Sequence, residues 1–108
     1  MPNTFRSTFQ TLGTTGSTVL YTTPSATTSI LKSLYVANIG GSTTGTINVT
    51  VGFSGSTTAH LIRNGSVPFA TTLQVITEPV VMEATERISV QASAANLLDV
   101  TLSYLEIT

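Results

Sequence analysis

Acid–base or metal chemistry in this 108-residue chain would have to be built from His60, Asp99 and the glutamates Glu78, Glu83, Glu86 and Glu106. A single imidazole acts as a general base only when a nucleophile or an orienting carboxylate stands beside it. His60 sits in the run AHLIR, no Ser occupies a GxSxG elbow, and every acid lies within 78–106. His60 therefore reads as an ordinary surface or interface histidine. Glu78, Glu83 and Glu86 come nearest to a carboxylate cluster. Glycoside hydrolysis needs two carboxylates held in register across a sugar, and calcium needs about six or more oxygens. Spacings of five and three through PVVMEATE match no calcium loop, so these acids read as solvated groups in or beside a turn. Gly40-Gly41 is followed by no helix start that would aim backbone N–H groups at a phosphate, and reads as part of a loop turn. Asn48-Val49-Thr50 and Asn64-Gly65-Ser66 match the glycosylation sequon, as chance allows in a chain with 22 Thr and 12 Ser. Cysteine is absent, which removes disulfides, thiolate metal sites and thiol nucleophiles together. The expectation is a protein that is not an enzyme, with no catalytic residues, no metal and no cofactor.

The elements available to position any site are strands. FRSTFQTL (5–12) reads as an arm or edge strand with Phe5 and Phe9 as its large anchors. STVLYTT (17–23) stops before Pro24. TSILKSLYVANI (28–39) is apolar on both faces, as a central strand is, and runs out into the turn NIGGSTTG. TINVTVGF (46–53) alternates cleanly, sending Ile47, Val49, Val51 and Phe53 to one face. A turn at 54–57 leads to AHLIR (59–63), which ends at the tight-turn dipeptide Asn64-Gly65. TTLQVI (71–76) and the short VVME (80–83) follow. ERISVQA (86–92) presents Ile88, Val90 and Ala92 together. LDVTLSYLEI (98–107) puts Val100, Leu102 and Tyr104 on a core face and turns Leu105 and Ile107 outward, with Tyr104 at the core rim.

Strands this short, near ten-residue spacing and without a helical stripe, predict an all-β chain. No connection is long enough for a parallel crossover. The fold class is a two-layer antiparallel β-sandwich of seven to nine strands, jelly-roll-like or immunoglobulin-like. Residues 1–12 form an N-terminal arm or edge strand, and 13–108 a single sandwich domain.

Charge limits the partners. Charged residues make up only 8% of the chain, against roughly 25% in ordinary domains. Arg6, Lys32, Arg63 and Arg87 stand singly, which leaves no patch to neutralise nucleic-acid phosphates or an anionic membrane surface. No apolar run approaches the length of a membrane span, and MPNTFRSTFQ has no apolar core of a signal peptide, so synthesis in a cytoplasm is expected. Thr takes the place of charge, supplying a methyl to packing and a hydroxyl to solvent. So little charge exposes sheet edges to self-association, and a homo-oligomer is expected. Trp is absent, which argues against a broad aromatic platform for sugars. Phe53 belongs to the core by its alternation. Phe5, Phe9 and Phe69, in arm-like or loop-like stretches, and the outward Leu105 and Ile107, are the candidate interface residues.

TTLQVITEPVVMEATERISVQASAANLLDVTLSYLEIT resembles the C-terminal half of small virion structural proteins of tailed bacteriophages, the cyanophage type in particular. QASAANLLDVTLSYLEI carries the specific part, and GSTVLYTTPSATTSILKSLYVANIGGSTTGTINVTV is similar to the family's earlier strand pair and Thr-rich strand. The resemblance spans about residues 15–108. It implies that the two final strands form a hairpin, and it brings no catalytic residues. Ala84-Thr85 stands where the family commonly carries a Gly-Asp turn. A virion component follows from it: a capsid decoration (cement) protein bound to the major capsid protein or other virion subunits. The alternative is a neck or tail accessory protein, or a host-glycan-binding module of a tail.

Overall fold

Period-two alternation fixes the strands. The computed structural model describes residues 3–40, 43–53 and 58–108, so the turn expected at 54–57 and the Gly41 half of the glycine pair lie outside the described residues. Among the described residues nine strands are formed: β1 (Asn3–Thr11), β2 (Thr18–Thr22), β3 (Thr28–Asn38), β4 (Gly45–Gly52), β5 (Thr58–Val67), β6 (Thr72–Ile76), β7 (Val80–Met82), β8 (Arg87–Ala92) and β9 (Leu98–Ile107). A first sheet runs β1-β9-β3-β6, with β7 also beside β3, and a second runs β2-β8-β4-β5. Every pairing is antiparallel. With β7 set aside the partners nest, β1 with β9, β2 with β8, β3 with β6 and β4 with β5. That nested wrapping is a jelly roll, and it resolves the choice against the immunoglobulin-like alternative.

The core lies between the sheets. Leu98, Val100, Leu102 and Tyr104 of β9 meet Leu31, Leu34 and Val36 of β3, and the second sheet answers with Ile47, Val49, Ile88, Val90 and Ala92, all buried. β3 needs one irregularity to do this. Leu31 and Leu34 are three residues apart, so strict alternation would turn one of them outward. The register with β9 shifts between Leu31 and Ser33, Lys32 becomes the extra residue, and both leucines stay inside.

Several local expectations are corrected. Asn64-Gly65 is no hairpin turn: β5 runs through it, with Arg63 and Asn64 together opposite Asn48 in a bulge. Asn64 takes a φ of 52°, and its N–H donates to Asn48 Oδ1 at 2.7 Å, which absorbs the left-handed preference inside a strand. β8 and β9 form no hairpin, because β8 belongs to the second sheet and β9 to the first. The connection between them crosses the layers, pinned by Ser93 N–H to Thr46 O at 3.0 Å and Asn96 N–H to Leu12 O at 2.8 Å. Phe53 is not in the core. β4 ends at Gly52, so the alternation stops one residue short, and the ring is 40% exposed. Gly40 has a packing role: a Cβ there would collide with the buried Leu97 side chain.

Candidate functional site

The acid–base candidates are dispersed. His60 is exposed on the outer face of the second sheet, opposite Thr50 of β4. Glu83 and Glu86 share a turn, the Glu83 N–H donating to Glu86 Oε1 at 3.1 Å. The described residues contain no grouping of three or more His, Asp or Glu able to hold a metal ion.

Two polar clusters tie the layers together at opposite ends of β3. At its start, the Tyr21 hydroxyl of the second sheet donates to Glu106 Oε2 at 2.6 Å and lies 2.7 Å from Ser29 Oγ. A phenol carries one proton, so Ser29 is the donor in the second contact. Arg6 Nε donates to the other carboxylate oxygen of Glu106 at 2.8 Å, and the rings of Tyr21 and Tyr104 lie 4.0 Å apart. Burial, followed by the hydrogen bond to Glu106, pushes the Tyr21 phenol up well above its ordinary value, and burial raises Tyr104 as well. A phenol so held stays protonated, and the Ser29 hydroxyl beside it is engaged in donating to it. The cluster is a clamp. At the other end, buried Asn38 donates through Nδ2 to Thr43 O at 2.8 Å and Val67 O at 2.9 Å, and accepts from Gly40 N–H at 2.9 Å.

Glu106 went unrecognised in the sequence as a special group, yet a signal was present. Alternation in LDVTLSYLEI sets it on the same face as Leu102 and Tyr104, and a carboxylate on a core face calls for partners.

The outer face of the first sheet is where large apolar groups collect. Antiparallel register places Phe5 of β1 opposite Leu105 of β9, Leu105 opposite Ile30 of β3, and Ile30 opposite Val81 of β7. That is an apolar row across four strands. A second row runs Phe9, Thr101, Tyr35 and Gln74, separated from the first by Ser7, Ser103 and Ser33. Phe5 is 75% and Phe9 77% exposed, and Val81 59%. This exposed apolar array is the candidate interaction surface of the described residues.

Four of the five candidate interface residues therefore share one face: Phe5, Phe9, Leu105 and Ile107. Ile107 stands between Asn3 and Thr28, beside the Phe5 row. Phe69 is not with them. It is exposed in the connection between β5 and β6, next to the Thr71 carbonyl that receives the Asn38 N–H. Ile30, Tyr35 and Val81 are additions. Apolarity on both faces of TSILKSLYVANI was the available signal: one face of β3 fills the core, and the other carries Ile30 and Tyr35 outward.

No protein-family description matches the sequence, and no curated protein matches it. Solved structures do match in fold. One is a chain from Bacillus endospore appendages, described as disulfide-linked pili, at a TM-score of 0.57 and 9% identity, covering 99% of this chain and 87% of that one. A second comes from the acid-stable capsid of Helicobacter pylori bacteriophage KHP30, at a TM-score of 0.56 and 13% identity, covering 98% and 87%. A third is a chain of infectious bursal disease virus, Gx strain, with a TM-score of 0.54, 10% identity, 98% of this chain and 33% of that chain. At these identities the likeness is one of fold: this chain shares its sandwich with subunits of shells and filaments.

Proposed function

We propose that this chain is a non-enzymatic virion structural protein of the tailed-phage type, acting as a capsid decoration (cement) protein. The observation that carries the reading is the apolar row Phe5–Leu105–Ile30–Val81 on the outer face of the first sheet. The fold shared with a phage capsid chain and the resemblance of QASAANLLDVTLSYLEI to small virion proteins support it. The mechanism is physical. A rigid jelly roll lays its apolar face on neighbouring shell subunits, displaces water from the Phe and Val side chains, and adds buried area across a seam that internal pressure would open. An interface of about 1,600 Å² suffices for stable association, and repetition over a lattice supplies avidity.

Immunogold labelling and quantitative mass spectrometry of purified particles test this. Cement predicts label over the whole shell and a copy number comparable to that of the main shell subunit. Label confined to one vertex or to the tail, at a few copies per particle, sinks the cement role in favour of a neck or tail accessory.

A further inference from the structure

Among the described residues four edges border the two sheets, and three are blunted in ways that resist pairing with another chain. β5 carries two register shifts and a left-handed Asn64. β2 is five residues long, bulged between Val19 and Tyr21, and soon followed by Pro24. The edge beyond β3 is divided between β6 and β7, with Glu78 and Pro79 in the gap. β1 has none of these devices. Its nine residues pair with β9 at every position without a bulge, and it contains no proline. Its one charge, Arg6, is neutralised by Glu106. Among the described residues no strand lies on its other side, so alternate backbone N–H and C=O groups of a regular ribbon face outward.

We propose that this edge pairs with the same edge of a second copy of the chain, antiparallel about a twofold axis through Ser7. A twofold interface is self-complementary: where residue i meets j, j meets i. NTFRSTFQT suits that operation. Centred on Ser7, the register sets Asn3 against Thr11, Thr4 against Gln10, Phe5 against Phe9 and Arg6 against Thr8 of the other copy, and all nine residues are paired. Phe5 and Phe9 then form two cross-strand aromatic pairs on the outer face. Shifting the register by two residues in either direction sets a Phe against Ser7 and leaves two residues unpaired. A one-residue slip sets the Phe side chains on opposite faces. The symmetric placement of the two rings about the strand centre favours a second copy over a foreign strand. Pairing also joins the two first sheets into one, so the row ending in Phe5 continues into Phe9, Thr101 and Tyr35 of the other copy. The pairing depends on the edge itself and holds whether or not the chain sits on a capsid.

Because the chain has no cysteine, Ser7→Cys introduces a unique thiol on the axis. Directly opposed residues lie within the span of about 4.4–6.8 Å between Cα atoms that a disulfide bridges. Under mild oxidation Ser7→Cys should cross-link into a covalent dimer, and Thr4→Cys, which faces Gln10, should not. Sedimentation of the native protein should give twice the 11.3 kDa of one chain. Phe5→Lys with Phe9→Lys should sediment as a monomer with its circular dichroism unchanged, and Phe5→Lys with Phe9→Glu should return to the dimer, since each Lys then meets a Glu. A native protein that stays at the mass of one chain overturns the proposal. So does cross-linking of Ser7→Cys no faster than Thr4→Cys, or a dimer indifferent to the like-charge pair.

Discussion

The outer faces of the two sheets obey the same alternation and differ in how many large apolar groups they carry. On the second sheet the outward positions Thr46, Asn48, Thr50, Ser89 and Gln91 are polar, with Val19 of β2 beside Ser89 as an exposed apolar group. On the first, the outward positions hold Phe5, Phe9, Ile30, Tyr35, Leu105 and Val81. Inner faces are constrained by the core they share, so they look alike. Outer faces answer only to what covers them, and the proposed interface lies on the face richer in large apolar groups.

Substitutions separate the two faces, and the largest effect is expected on binding. Phe5→Lys combined with Val81→Lys should weaken attachment to shells more than a hundredfold, about 2.7 kcal/mol. Thr46→Lys combined with Thr50→Lys, on the other face, should leave attachment unchanged in the same co-sedimentation assay. Equal losses from both pairs would erase the distinction between the faces. Next in size is the clamp that holds the faces back to back. Tyr21→Phe leaves Glu106 and Ser29 without their shared partner and should cost about 2 kcal/mol in urea unfolding, with particle binding retained.

The same hydroxyl sets a pH dependence. Its pKa in the folded protein lies above that of the unfolded chain, so its contribution is complete below the unfolded value of about 10. That contribution is lost as pH rises from there through the folded value. Thermal melts should therefore fall more steeply above about pH 10 in the native protein than in Tyr21→Phe. Smaller again is Thr85→Gly. Thr85 holds a φ of 69°, a region costly for a β-branched residue, and glycine there should raise stability by about 1 kcal/mol. Smallest is His60→Ala on the polar face, which should stay within about 0.5 kcal/mol of the native protein.

Much of this architecture is legible in the letters. LDVTLSYLEI spans β9 from its first residue to its last, and the alternation of Ile88, Val90 and Ala92 marks β8. Periodicity is local, and it fixes which face a residue takes. It does not say which sheet a strand joins, so β8 and β9 read as a hairpin although they lie in different layers. Turn chemistry misleads for a related reason. Asn64-Gly65 favours a left-handed backbone, and a bulge uses that conformation as readily as a turn does. The aromatic face was half visible: Phe5, Phe9, Leu105 and Ile107 stand out singly, but Ile30 and Val81 join them only once the register of four strands is known. Ala84-Thr85, where the resemblance sets Gly-Asp, still makes its turn, with the left-handed φ at Thr85, the Asp position, and its N–H bonded to Thr23 O at 3.0 Å.

The nested wrapping also sets a timetable for folding. β1 has β9 as its strand partner, and Arg6 meets Glu106 across 100 positions of chain. β1 is synthesised before β9 and must therefore wait for it before it can be zipped in, and contacts of such long sequence separation slow folding to about milliseconds or longer. Through that interval the Phe-bearing ribbon stays unpaired along both edges. The step most open to mispairing is thus the final closure of β1 onto β9, and crowding of nascent chains would be felt there first.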